Sequence, residues 1–198
     1  ETLSILKALA LIGSDFDVVS IGELNKVIAA GGKPAGVVFS GVGKTRDEIT
    51  KALKAGVGCI NLESCEEFER LESVAKNMAA FVNVAVRVNP NVDPKTHPYI
   101  STGLKDSKFG VPINDARELY QRISTSKWLN PSGIACHIGS QITIVDPIIE
   151  AVGHVVDLAL DLKTIGIQIE TIDVGGGLGI DYCGETPPTI NELVDGLC

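Results

Sequence analysis

The sequence predicts an α/β fold of repeated strand–helix units, and its pattern favours an incomplete (β/α)8 barrel of about six units over an open doubly wound sheet. Apolar, β-branched runs of strand length recur at FDVVS (16–20), GVVFS (36–40), CINLE (59–63), VNVAVRV (82–88), SGIACHI (132–138) and IETIDV (169–174). Near-continuous apolar runs suit strands covered on both faces, as in parallel sheets. Short connectors and intervening helical segments imply right-handed crossovers. No G-x-G-x-x-G follows the first run, and nothing in the pattern marks a reversal of strand order.

The helix starts are well marked. Thr45 with Glu48 and Ser64 with Glu67 have the spacing of capping boxes, in which each side chain satisfies an otherwise orphaned backbone N–H. After Ser64, residues Phe68, Leu71, Val74 and Ala75 share one helical face. Another helix is expected near Asp115. Asp146-Pro147 opens a further one, since proline in the first turn loses no needed hydrogen bond. That helix carries Ile148, Ile149, Val152, Val155, Val156 and Leu160 and should stop near Gly166.

The chain has 198 residues, ample for a packed core, with one domain as the default for this length. Lysine and arginine total 17 against 25 acids, and the resulting net charge of −8 is spread along the chain. This balance argues against a nucleic-acid or anionic-membrane surface. No apolar run approaches a membrane span and no signal-peptide pattern is visible. The chain begins at Glu1 and stops at Cys198 in what reads as mid-helix, so a piece of a longer protein is expected. Cys59, Cys65, Cys136, Cys183 and Cys198 form no CxxC pair and have no zinc-like spacing with histidine. Reduced structural thiols, an intracellular compartment and no metal site are expected.

SGVGKT (40–45) suggests a phosphate loop and fails the test. A P-loop needs glycine five residues before the Gly-Lys pair, and that position is Val38, inside a strand run. Lys44 is therefore expected to be a surface or loop lysine. Between Val88 and Asp115 the rhythm breaks: NPNVDPKTHPYISTGLKDSKFGVPI is long for a connector in a compact α/β fold. It carries His97, Tyr99, Ser101, Thr102, Lys105 and Lys108, which marks it as functional.

In barrels the active site lies at the C-terminal ends of the strands. Here those ends carry Asp17 to Ser20, Ser40, Glu63, Arg87 with Asn89, His137 to Ser140, and Asp173 to Gly179. Arg87 inside AVRVNP is costly to bury without a partner. DVGGGLG (173–179) offers successive backbone N–H groups with no side chains in the way, as an anion such as phosphate requires, although a tight turn after a strand would look the same. Ser140 could add a hydroxyl to that anion, and His137 could lay its ring against a planar ligand. Phosphate, a planar ring and an arginine together suggest a phosphorylated aromatic cofactor.

HPYISTGLKDSKFG (97–110), ACHIGSQIT (135–143) and DVGGGLGIDY (173–182), in this order and spacing, resemble the diaminopimelate decarboxylases, as do SDFDVVSIGEL (14–24) and VVFSGVGKT (37–45). The resemblance runs along essentially the whole chain. The 97–110 loop with HIGSQ is specific, and favours this family over the ornithine and arginine decarboxylases that share its barrel with alanine racemase.

The resemblance implies a pyridoxal 5'-phosphate-binding TIM-like barrel, of which residues 1–198 would be the central part. It implies decarboxylation of meso-2,6-diaminopimelate to L-lysine and carbon dioxide through an aldimine of the cofactor, the last step of lysine biosynthesis. His137 would stack on the pyridine ring, while Ser140 with Gly175, Gly176 and Gly177 would hold the phosphate. Arg87 would lie near the phenolic oxygen and Asp17 near the Schiff-base lysine, with His97 and Lys108 bordering the substrate. The family's lysine motif, YxxKAN-like, precedes the matching region, and nothing in this sequence matches it. No catalytic residue is therefore assigned within the span, and the family's mostly β second domain is also expected to lie outside it. A cytoplasmic homodimer is implied, or a plastid one in a plant. The alternatives are a decarboxylase of another basic amino acid, or a non-catalytic barrel that binds the cofactor or a partner chain.

Overall fold

Each apolar run forms a strand in the computed structural model, which describes residues 2–94, 109–182, 184 and 186–198. His97, Lys108 and the rest of residues 95–108 lie outside the described residues, as does Cys183. By contact the chain falls into two units, Glu1–Ala85 with Arg122–Pro131 and Val86–Gln121 with Ser132–Cys198.

The first unit begins with α1 (Leu3–Leu11), β1 (Phe16–Val18) and α2 (Ile21–Ala29), followed by β2 (Val37–Phe39) and α3 (Arg46–Ala55). It continues with β3 (Cys59–Leu62), α4 (Cys65–Met78) and the start of β4 (Val82–Asn89). Strands β1, β2 and β3 pair in parallel, Phe16 beside Val37 and Val38 beside Cys59, and the order runs on to β4. Burial follows the pattern: Val37, Phe39, Ile60 and Leu62 are fully buried with Leu24, Ile49 and Leu71 of the covering helices.

The second unit holds the end of β4, β5 (Val111–Pro112), most of α5 (Ile113–Thr125) and most of β6 (Leu129–Cys136). It ends with α6 (Asp146–Thr164), β7 (Thr171–Asp173) and α7 (Ile190–Leu197). β4 pairs in parallel with β5, β6 pairs in parallel with β7, and the order is β4-β6-β7. In neither unit does the order reverse, which is the arrangement of a barrel and not of a doubly wound sheet. The Tyr120 hydroxyl of α5 accepts the Val86 N–H at 3.3 Å and donates to Gly133 O at 2.6 Å, tying the helix to both strands. Val92, Ile138, Ile142, Ile148 and Ala151 form a local core, with Leu193 of α7 against it.

Several elements differ from the sequence reading. β5 is two residues long, too short to show a period. β6 starts at Leu129, ahead of Pro131, and stops at Cys136, so His137 stands just beyond the strand. On α6 the buried face is Ile148, Ala151, Val155, Leu158 and Leu162, while Val156 and Leu160 face solvent. Thr45 and Glu48 form the full capping box, with Thr45 N–H donating to Glu48 Oε2 at 2.9 Å. Ser64 caps α4 at the Glu67 N–H, but the Glu67 carboxylate accepts from Glu63 N–H at 2.8 Å instead of closing the box.

Glu67 is turned that way by Lys44, which is not a surface lysine. Both side chains are nearly inaccessible, and Lys44 Nζ lies 3.0 Å from Glu67 Oε1 as a charge pair, off the hydrogen-bond direction. Lys44 Nζ also donates to Gly41 O at 2.6 Å, and Arg70 donates to Lys44 O at 2.8 Å. The SGVGKT loop is therefore clamped by charge, with no phosphate needed to explain its lysine. Removing one partner of such a pair strands a buried charge: Lys44→Met should cost about 3–5 kcal/mol in urea unfolding. Adding Glu67→Gln, which keeps the acceptor for Glu63 N–H, should recover more than half of that loss.

Candidate functional site

The loops that follow β6 and β7 are laced together within the second unit. Ile142 N–H donates to Gly177 O and Gly179 N–H to Ile142 O, both at 2.8 Å, and Ile142 bridges Leu178 in parallel. Gln141 uses both ends of its amide on one residue, accepting from Ile180 N–H at 3.1 Å and donating to Ile180 O. It does so from a left-handed backbone, φ 56°.

Such close approach requires glycine. Gly177 has φ 97°, and a Cβ there would lie 1.9 Å from Gly139 O. At Gly175, φ 72°, a Cβ would lie 2.5 Å from Cys136 O. Gly176 is the exception, for a Cβ there would meet nothing within 4 Å. The flanking glycines press the loop onto the end of β6, and the middle one faces open space.

Two of the amides expected to face an anion have protein acceptors. Gly175 N–H donates to Asp173 Oδ1 at 2.8 Å, and Gly176 N–H donates to His137 Nδ1 at 3.3 Å. An amide can only donate, so Nδ1 carries no proton and the ring's hydrogen sits on Nε2. The half-buried His137 ring is thereby fixed against the glycine loop, with Ser140 exposed on the same connector.

Arg87 is half-buried on β4, its guanidinium 5.3 Å from the centre of the Phe109 ring. Burial pushes the Cys136 thiol up to about 11, with the Asp173 carboxylate adding to the rise and Arg87 opposing it. Arg87, His137, Ser140 and Gly175 to Gly177 thus all belong to the second unit. Asp17 belongs to the first, on β1, where its carboxylate accepts from the Ser40 hydroxyl. Two contributors escaped sequence reasoning. Gln141 stands in the HIGSQ motif with no role that the sequence assigns, and Asn61, which donates to Ser40, is a buried amide inside an apolar strand. Its signal was there, since an amide in such a run is costly without a bond.

Residues 1–197 match the model of the pyridoxal-dependent decarboxylases, pyridoxal binding domain. The chain belongs to this family. It is 50% identical over 194 residues to the diaminopimelate decarboxylase of Pseudomonas aeruginosa, covering 98% of this chain and 47% of that one. The crystal structure of diaminopimelate decarboxylase from Helicobacter pylori complexed with L-lysine matches with a TM-score of 0.96 at 43% identity, over 98% of this chain and 50% of that chain. Lysine decarboxylase from Selenomonas ruminantium matches with a TM-score of 0.86 at 22% identity, a likeness of fold alone. The chain spans about half the length of the relatives it matches. The fold is accordingly an incomplete pyridoxal-binding barrel.

Cys136 provides a check on how closed this strand end is. A thiol held near pH 11 stays protonated at neutral pH and is a poor nucleophile. Iodoacetamide at pH 8 should alkylate the exposed Cys198 and spare Cys136 until denaturant is added, as peptide mass mapping would show.

Proposed function

We propose that the protein carrying these residues is a diaminopimelate decarboxylase, converting meso-2,6-diaminopimelate to L-lysine and carbon dioxide with pyridoxal 5'-phosphate. The observation that carries the reading is the bond from Gly176 N–H to His137 Nδ1. It holds a ring able to stack on a planar cofactor beside a glycine loop that leaves open space at Gly176.

The residues present fit the cofactor's binding end. Gly177 packs against the connector that carries Gly139 and Ser140, Gly176 faces open space, and Arg87 belongs to the same unit. In this reading His137 lies against the pyridine ring, Ser140 and the loop of Gly175 to Gly177 border the phosphate, although the Gly175 and Gly176 N–H groups already donate to Asp173 and His137, and Arg87 stands near the phenolic oxygen. Asp17 is proposed as an acid at the reactive end, on the SDFDVVSIGEL likeness. His97 and Lys108 are proposed to border the substrate, on the likeness of their loop. When bound, the cofactor supplies the electron sink for the pair released as carboxylate leaves, and the protein supplies orientation and charge. A cytoplasmic homodimer is part of the proposal and rests on the family resemblance. Among the described residues, no helix is long and apolar enough to cross a membrane.

Release of labelled carbon dioxide from meso-diaminopimelate by the full-length protein, compared with lysine, ornithine and arginine, tests the reaction. Turnover of diaminopimelate alone is expected, whereas preference for ornithine or arginine would overturn the substrate assignment. Residues 1–198 by themselves should show none, because no lysine here matches the family's Schiff-base motif. A separate test addresses the phosphate. Gly176→Ala meets nothing in the protein and should leave the melting temperature unchanged. Its methyl would intrude on the anion, so cofactor affinity in equilibrium dialysis should fall by about tenfold or more, in line with the ~1–3 kcal/mol that overpacking costs.

A further inference from the structure

The first unit contains a hydrogen-bonded chain to which the roles above assign nothing beyond Asp17. Asn61 lies on β3 within CINL and is 3% exposed. Its Nδ2 donates to Ser40 Oγ at 3.3 Å, and Ser40 Oγ donates to Asp17 Oδ2 at 3.0 Å. A hydroxyl has one proton to give. With that proton directed at Asp17, Ser40 Oγ can only accept from the amide, so Asn61 must present Nδ2 and turn Oδ1 away. Oδ1 is buried there with no hydrogen-bond partner. An unpaired buried acceptor is destabilising, and leucine would fill the same strand position without that cost. The amide therefore answers a demand other than packing, and its contact is with Ser40.

Ser40 has little freedom of its own. Its N–H donates to Val18 O at 2.8 Å, fastening it to β1 at the residue after Asp17. The next residue is held from both sides, with Gly41 N–H donating to Glu63 Oε1 at 3.2 Å and Gly41 O accepting from the buried Lys44. Donor direction thus runs one way, from Asn61 through Ser40 to the exposed carboxylate of Asp17.

We infer that Ser40 and Asn61 are positioning residues that hold the Asp17 carboxylate in a single orientation for its work at the cofactor. The inference rests on the proposed role of Asp17, and a double-mutant cycle in the full-length enzyme separates the two. Ser40→Ala, Asp17→Ala and the pair are scored by pyridoxal phosphate affinity in equilibrium dialysis and by kcat/KM on diaminopimelate. Ser40→Ala should lower both by about tenfold, as loss of an outer orienting partner does at other sites. In the Asp17→Ala background it should change neither, because the relay then has nothing to orient. Ser40→Thr keeps the hydroxyl and should restore both. Asn61→Leu should cost less than Ser40→Ala and again only when Asp17 is present, and it decides the matter if Ser40→Ala melts early in its cofactor-free form. If Asp17→Ala is harmless, the role of Asp17 falls and the relay with it. If Asp17→Ala is harmful while Ser40→Ala is neutral, or equally harmful in both backgrounds, the relay is wrong and the role of Asp17 stands.

Discussion

Two backbones meet with no side chain between them where residues 175–179 run against residues 136–142, and the proposed ligand-binding face of the second unit depends on that contact. Gly177 carries the closest approach, and the paired bonds of Ile142 with Gly177 and Gly179 hold it. Because the loops are this near, Gly176 N–H reaches His137 Nδ1 and fixes both the tautomer and the ring. Any side chain at 177 would push the loop off the end of β6 and release the histidine. A site made of main-chain groups needs such a contact, since a backbone amide can be aimed only by placing the whole segment.

The first unit handles its polar groups in the opposite way, with charged side chains in place of bare backbone. Lys44 and Glu67 are both buried, and besides pairing with each other each holds a backbone group: Lys44 holds Gly41 O, while Glu67 holds Glu63 N–H. Buried pairs of this kind contribute little net stability, because desolvation offsets most of the attraction. They do specify one geometry. The clamp fixes the loop that starts at Ser40, and Ser40 in turn reaches Asp17.

Much of this was legible in the sequence, for identifiable reasons. Strand positions follow from β-branched apolar runs, and helix starts follow from Thr45 and Ser64, because those signals act within a few residues. The His137 and glycine-loop segments were legible as motifs because their chemistry needs particular residue types in a fixed order. The Lys44 pairing was not, since its partner is 23 positions away and nothing local distinguishes a clamped lysine from a solvated one. The same holds for Glu67, whose capping-box spacing is correct but whose carboxylate goes to Glu63 once Lys44 sets its orientation. The two-residue β5 lies below any periodic signal. The early start of β6 was hidden by Pro131, which ordinarily argues against a strand.

The groups around the proposed site also differ in how they respond to protons. The Cys136 thiol, pushed to about 11, keeps its proton at neutral pH. Backbone amides do not titrate. His137 is different, because its bond to Gly176 exists only while Nδ1 is unprotonated. A proton there would turn an acceptor into a second donor, opposing N–H against N–H and leaving the loop without its tie to the ring. The bond that orients the ring is therefore one that a proton on Nδ1 would break. A carboxylate or hydroxyl in the position of Nδ1 could hold the loop, but neither would offer a flat ring to a planar cofactor. Histidine meets both requirements, at the cost of a bond that proton uptake can break.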